Sequence, residues 1–119
     1  MNQITLVGRL TEEPVLKTKE KIAKLNITIA VPRTYKNQDG IYETDFIRCV
    51  LWDNIARRTS EYCHKGDLVG VKGRLQVRNY QSDEETTKYI SEVVVESLTF
   101  LSSTKVSPEN KESNKESSS

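Results

Sequence analysis

One stretch decides the fold of this 119-residue chain: residues 43–80 have the sequence ETDFIRCVLWDNIARRTSEYCHKGDLVGVKGRLQVRNY. In residues 43–52 and 67–80, apolar side chains alternate with basic, polar or aromatic ones. This alternation is typical of β-strands that have one buried and one exposed face. The segment between them, residues 53–64, has apolar side chains at helical spacing instead. The stretch therefore predicts a strand, a helix and a second strand.

The predicted helix has recognisable ends. Asp53 is a good N-cap residue, and Lys65-Gly66 follows His64 where glycine can terminate a helix in the left-handed conformation. The apolar side of this helix is predicted to comprise Ile55, Thr59, Tyr62 and Cys63.

Further strands are predicted on both sides of this unit. The first covers Gln3–Leu10, the second Ile22–Arg33 and the fifth Tyr89–Leu101, with a polar hairpin loop at residues 79–88. Five strands with one helix between the third and fourth predict an all-β fold, a five-stranded Greek-key barrel of the OB type. Residues 1–101 form the predicted domain, and the Ser-, Lys- and Glu-rich residues 102–119 form a predicted disordered tail.

One face of each strand is predicted to form the core. The inward residues are Ile4, Leu6 and Leu10; Ala23, Leu25, Ile27, Ile29 and Val31; Ile47, Cys49 and Leu51; Val69, Val71, Leu75 and Val77; and Tyr89, Val93, Val95 and Leu101. Gly8, Gly70 and Gly73 lie within strands, where glycine often marks the bulges and bends of a small barrel.

The opposite faces mix aromatic and basic side chains. Phe46, Arg48, Val50 and Trp52 share a face of the third strand, and Lys72, Arg74, Gln76, Arg78 and Tyr80 share a face of the fourth. Aromatic rings stack on unpaired bases with little regard to sequence, while Lys and Arg neutralise phosphates. The predicted nucleic-acid-binding residues are Tyr35, Phe46, Trp52, Tyr80, Arg9, Arg33, Lys36, Arg48, Lys72, Arg74 and Arg78.

Other interpretations of these residues remain open at this point. Phe46 and Trp52 would also suit a barrel cap or a subunit interface, where aromatics are common. Tyr35 and Tyr80 would also suit strand ends, and any single basic residue would suit a solvated surface. The combined pattern, rather than any one residue, favours binding of single-stranded nucleic acid.

Composition narrows the class of protein. The net charge is +1, with two cysteines and one histidine, too few for the usual four-ligand structural zinc site. The acidic residues are scattered, so we expect no catalytic residues, no metal and no cofactor. The N-terminus lacks the basic and apolar segments of a signal peptide, and no apolar run is long enough to span a bilayer. We expect a cytoplasmic, nucleoid-associated protein.

Several segments resemble the bacterial single-stranded DNA-binding proteins. These segments are MNQITLVGRLT (residues 1–11) with Pro14, IAVPRTYKNQDG (29–40), TDFIRCVLW (44–52), YCHKGDLVGVKGRLQVRNY (62–80) and EVVVE (92–96). The resemblance implies a homotetramer of OB folds around which single-stranded DNA wraps. It also places the family's base-stacking aromatics at Tyr35, Phe46, Trp52 and Tyr80, which are the four aromatic residues already among the predicted binding residues.

Two segments depart from that family's pattern. Lys17–Lys21 stands where many members have a turn containing Asn-Gly. The last residues, NKESSS (114–119), differ from the aspartate-rich tip ending in proline and phenylalanine that recruits replication and repair proteins in many members. We therefore expect single-stranded DNA binding without the usual recruitment. The alternative is a primosome-type accessory module that uses the aromatic face for a protein and binds nucleic acid weakly.

Overall fold

A computed structural model describes residues 1–81 and 86–103. The strands are β1 (Ile4–Leu10), β2 (Lys17–Lys19), β3 (Ile22–Lys36), β4 (Tyr42–Trp52), β5 (Leu68–Gln81) and β6 (Thr87–Ser102), and the helix is α1 (Asp53–Tyr62). The short β2 was not predicted. Both β3 and the β5–β6 hairpin run further than expected, so much of the polar loop predicted at residues 79–88 is paired strand.

The strands close into a barrel. The sheet order is β1-β5-β6-β4-β3-β2, and β1 also pairs with β3 through Arg9–Ala30 and Leu10–Ile29. All pairs are antiparallel except β4 with β6, which run parallel and meet only at Cys49–Val93 and Val50–Val94. The predicted five-stranded OB-type barrel, with one helix after its third long strand, is confirmed.

The core fills the inside of this barrel. Its buried side chains are Leu10, Ala23, Leu25, Ile27, Ile29, Cys49, Leu51, Ala56, Cys63, Val69, Val71, Val93 and Val95. Most belong to the predicted inward faces, because a strand with one buried face must place its apolar residues at every second position. Val50 is also buried although it lies on the opposite face, where β3 and β6 flank it.

The β5–β6 arm, residues 74–81 and 87–94, corrects part of the predicted core. Leu75, Val77 and Tyr89 were expected inside but are exposed, as is Leu101 at the far end of β6. Alternation predicts which side a residue faces but not whether anything covers that side. The two strands of the arm continue beyond the two residue pairs at which β6 meets β4, so that the barrel no longer covers them.

Gly73 lies where this arm leaves the barrel. The β5–β6 register shifts between Lys72 and Gly73, as predicted for a strand glycine at a bulge. A Cβ atom on Gly73 would collide with the backbone carbonyl of Val94. Gly8 is similar, since a Cβ there would lie 2.6 Å from the carbonyl oxygen of Ala30. The predicted role of a strand glycine at a bulge is thus supported at Gly73. It is not supported by a close backbone contact at Gly70, which has no backbone atom within 4 Å of its Cβ position.

The helix differs from its prediction at both ends. The N-cap is Trp52 rather than Asp53, without a side-chain hydrogen bond, and the helix stops at Tyr62 rather than His64. Ala56, Thr59 and Cys63 are the buried positions, whereas Tyr62 is exposed. The C-terminal turn is held by Asp67, whose Oδ2 accepts from the backbone N–H of His64 at 2.8 Å. Gly66 has a positive φ of 91°, but it lies in the loop beyond this turn.

Glu20 and Lys21 form a two-residue turn between β2 and β3, with φ of 53° and 69°. Positive φ at both positions suits a type I′ turn, in which Asn-Gly is preferred because other side chains pay a steric cost. We predict that Lys21→Gly raises the free energy of unfolding by about 1 kcal/mol. Urea denaturation would measure this, with Lys65→Gly as a loop control, and an unchanged or lower midpoint for Lys21→Gly would contradict it.

The ends of the described chain bear on two further expectations. Strand β6 ends at Ser102, one residue past the predicted domain boundary. The disordered tail was predicted over residues 102–119, but Ser102 is still part of β6. Residues 104–119 of that tail lie outside the described residues, as do residues 82–85 of the predicted polar loop. Within the described ranges, no helix is long and apolar enough to cross a membrane.

Candidate nucleic-acid interface

The pairing of β3 with β4 builds one side of the candidate interface. Residues directly opposite each other in antiparallel strands share a face. The pairs on the outer face are Lys24–Trp52, Asn26–Val50, Thr28–Arg48 and Ala30–Phe46. Along β4 this face carries the aromatic and basic side chains Phe46, Arg48 and Trp52, as the sequence predicted, and the small polar side chains Asn26 and Thr28 lie beside them on β3.

The β5–β6 arm supplies the other side. Val94 of β6 pairs with Val50 of β4 on one side and with Arg74 of β5 on the other. The next pairs of β6 with β5 on this outer face are Glu92–Gln76 and Ile90–Arg78. Since β6 meets β4 at only two residue pairs, the strands diverge and leave an open depression of about 260 Å³ between them. Its lining includes Lys24, Asn26, Thr28, Arg48, Arg78, Ile90 and Glu92.

Three of the four predicted aromatic residues are exposed. Phe46 is 67 % exposed, Tyr35 is 63 % exposed and Trp52 is 42 % exposed. Neither Phe46 nor Trp52 caps the barrel, and both lie on the outer face of β4, six residues apart. Tyr80 pairs with Lys88 through its backbone, and its side chain lies outside the described part of the chain.

Trp52 has a cation beside it. The Lys24 Nζ atom is 5.2 Å from the centroid of the indole ring, within the range of a cation–π contact. A ring with an adjacent ammonium offers both a stacking surface and a charge for a phosphate. Lys36 makes a similar contact, 5.6 Å from the ring of Tyr42.

Arg33 is engaged by two carboxylates. Its Nη2 donates to Asp45 Oδ1 at 2.9 Å and its Nε to Asp45 Oδ2 at 3.1 Å, while its Nη1 donates to Glu43 Oε1 at 2.7 Å. The hydrogen bonds that Arg33 donates to Asp45 lower the pKa of Asp45 and raise the pKa of Arg33. One guanidinium facing two carboxylates leaves a net negative charge here. These contacts join β3 to β4 across the hairpin.

The other predicted basic residues differ in their surroundings. Arg78 Nε donates to Glu92 Oε1 at 2.7 Å, Arg74 Nη1 donates to Gln76 Oε1 at 3.2 Å and Arg9 Nη1 donates to the Gly66 carbonyl at 3.0 Å. Arg48 is exposed and has no ion-pair partner among the described residues. Lys72 is exposed opposite Thr5 of β1 and does not line the depression between β4 and β6.

The described residues offer few metal ligands or nucleophiles. No group of three metal-ligating side chains occurs among residues 1–81 and 86–103. Cys49 and Cys63 are free and buried, and burial raises the pKa of both thiols, to about 12 for Cys49. Protonated thiols are poor nucleophiles.

Sequence reasoning did not select several residues of the depression. Lys24, Asn26 and Thr28 were recognised as the outer face of their strand but not as part of the interface. The available signal was their alternation with Leu25 and Ile27. They lie beside Phe46 and Trp52 because of the pairing register between β3 and β4. Alternation within a single strand does not predict that register.

Comparison with known proteins places these features in a family. The family model of the single-strand binding protein family matches residues 1–101. The chain is 44 % identical over 101 residues to the single-stranded DNA-binding protein B of Bacillus subtilis (strain 168), covering 84 % of this chain and 89 % of that one.

Two longer relatives give similar values. The single-stranded DNA-binding proteins of Oceanobacillus iheyensis and Bacillus cereus are 45 % and 46 % identical over 102 residues, or 85 % of this chain. The chain spans only 63 % and 60 % of their lengths. The alignment covers the whole barrel and the interface described above, and this chain belongs to the single-strand binding protein family.

Proposed function

We propose that this chain binds single-stranded DNA without sequence preference, by stacking bases on the outer face of β4 and neutralising phosphates with the basic residues around it. The observation that carries the proposal is the exposure of Phe46 and Trp52 on one strand face with Arg48 between them. A duplex hides the faces of its bases, whereas unpaired bases can stack on such rings.

The contacts described above support different roles for the predicted residues. Phe46 and Trp52 are proposed to stack on bases, with Tyr35 and Tyr80 extending the path at its two ends. Arg48 contacts phosphate, because it is exposed and has no carboxylate partner among the described residues. A second set of proposed phosphate contacts comprises Arg9, Lys36, Lys72, Arg74 and Arg78. Arg33 is proposed to hold the hairpin in place through Asp45 and Glu43.

The family is one of binding proteins, so the chain is not an enzyme. The primosome-type accessory module is not favoured, because the relatives compared are named for single-stranded DNA binding. We propose that the protein protects unpaired DNA during replication, recombination or repair, in the cytoplasm and in association with the nucleoid.

We also propose that the protein is a homotetramer. The family resemblance implies this state, and the exposed apolar residues of the β5–β6 arm support it. Leu75, Val77 and Tyr89 are exposed apolar side chains on one face of the arm, and a neighbouring subunit would cover them. Sedimentation equilibrium tests this: a mass four times 13.6 kDa is expected, and a monomer at all concentrations would contradict it.

The proposed function is tested by the anisotropy of fluorescently labelled oligo-dT. Binding should weaken as salt rises, with a slope of log K against log salt of about −0.7 for each phosphate neutralised. Duplex DNA of the same length should bind at least tenfold more weakly at the same salt. Equal binding of both DNAs, or no binding of oligo-dT, would overturn the proposal.

Glu92 competes with phosphate for Arg78. Its carboxylate is half-buried in the depression and ion-paired at 2.7 Å with Arg78. We predict that Glu92→Gln tightens binding of oligo-dT about threefold to tenfold at low salt and steepens the salt slope by about 0.7, since one more cation can engage a phosphate. Glu61→Gln, on the exposed side of α1, serves as the control. Weaker binding by Glu92→Gln would mean that the ion pair positions Arg78.

A further inference from the structure

The β2–β3 hairpin carries a cluster of four lysines, of which only Lys24 belongs to the interface described above. Lys17 and Lys19 lie on β2, Lys21 in the turn and Lys24 on β3. The only acidic residue between positions 17 and 24 is Glu20. None of the four lysines has an ion-pair partner among the described residues.

The strand register places two of these lysines in one row with the tryptophan. Lys17 lies opposite Lys24, and Lys24 lies opposite Trp52, so the three side chains cross β2, β3 and β4 on a single face. Lys19 and Ile22 form the next row on that face. The other face of the hairpin carries Ala23, which is completely buried. The lysine rows therefore face away from the core.

These rows and Trp52 line an open groove of about 700 Å³. Ile22 and Trp52 are exposed apolar side chains in its lining, and the lysines surround them. Two carboxylates lie nearby: Glu20 lines the tip of the groove, and Glu12 lines the depression on the other side of Lys24. At the turn, Arg57 Nη2 donates to the backbone carbonyl of Lys21 at 3.2 Å and adds a further positive charge.

We infer that this groove is a second phosphate-binding segment, in which Lys17, Lys19 and Lys24 hold the strand that leaves the base stacked on Trp52. Two strand spacings separate Lys17 from Trp52, about 10 Å. At about 3.4 Å per phosphate in a stacked strand, that distance corresponds to roughly three nucleotides. The inference rests on the proposed function and adds a direction to it: the strand passes from β4 over β3 to β2.

The test compares Lys17→Gln/Lys19→Gln with the parent protein, using oligo-dT long enough to cover the whole domain. Loss of two phosphate contacts should reduce the magnitude of the salt slope by about 1.4 and weaken binding about fivefold to thirtyfold at low salt. Lys17→Arg/Lys19→Arg should restore parent-like binding, because it keeps both charges. The matched control is Lys65→Gln, an exposed lysine outside the groove, which should change binding less than twofold. Glu20→Gln should tighten binding about twofold to threefold.

The outcomes separate the two proposals. If the parent protein does not bind oligo-dT, the proposed function fails. If the parent binds and Lys17→Gln/Lys19→Gln keeps both its affinity and its salt slope, the hairpin is a solvated surface and this inference alone is overturned. If the arginine pair binds as weakly as the glutamine pair, the lysines act through hairpin structure rather than charge, which also overturns it.

Discussion

Replacing both Phe46 and Trp52 with alanine should weaken binding of oligo-dT at least thirtyfold. Base stacking on an aromatic side chain contributes about 1–3 kcal/mol per base, so losing two platforms should cost about 2–6 kcal/mol. Both rings are substantially exposed on β4 and outside the core cluster, so their loss should leave the barrel folded. The affinity is measured by anisotropy at fixed salt, and the fold is checked by circular dichroism.

Two variants keep this prediction specific. Tyr62→Ala removes an equally exposed aromatic ring from the end of α1, away from the β4 face, and should leave affinity within about twofold of the parent. Phe46→Tyr/Trp52→Phe keeps both stacking surfaces and should retain most of the binding. A folded Phe46→Ala/Trp52→Ala protein with parent-like affinity would rule out stacking on this face.

Gly73→Ala should reduce the free energy of unfolding by at least about 3 kcal/mol, the largest stability effect that the structure predicts. A methyl group at Gly73 would collide with the backbone carbonyl of Val94, and backbone cannot move aside as a flexible side chain can. Relief would require breaking the pairing of β5 with β6 at the bulge from which the arm begins. Since domains are stable by only about 5–15 kcal/mol, this loss is a large share of the total stability.

Gly70→Ala is the matched control three residues earlier on the same strand. The nearest atom to its Cβ position is Leu101 Cδ1 at 3.7 Å, an ordinary van der Waals contact. The unfolding free energy of Gly70→Ala should lie within about 1 kcal/mol of the parent. Urea denaturation of the two variants would decide the matter, and equal midpoints would show that the bulge adapts to a side chain.

The barrel could be predicted from the sequence because its strands bury one complete face. Ala23, Leu25, Ile27 and Ile29 alternate with polar residues along β3 and are all buried. The same reasoning failed for Leu75 and Val77, since facing the inner side protects a residue only where other strands cover that side. The end of the β4–β6 contact, which exposes them, is a property of tertiary structure.

The composition of the interface could be predicted more readily than its electrostatics. Alternation placed Phe46, Arg48 and Trp52 on one face, as in the structure. It could not show that Arg33 is held by Asp45, twelve residues away, because that contact depends on the register across the hairpin. The lysines of β2 were not predicted as binding residues for another reason. All three residues of β2 are exposed, so the strand has no alternation of apolar and polar side chains from which it could be predicted.

The central claim is that bases stack on the outer face of β4, and Trp52 is the only tryptophan in the chain. Its fluorescence should therefore report directly on the interface during titration with oligo-dT. We predict strong quenching by oligo-dT that weakens as salt rises, and little change with duplex DNA of equal length. Binding of oligo-dT by anisotropy without any change in Trp52 fluorescence would place the DNA on another surface and contradict the account.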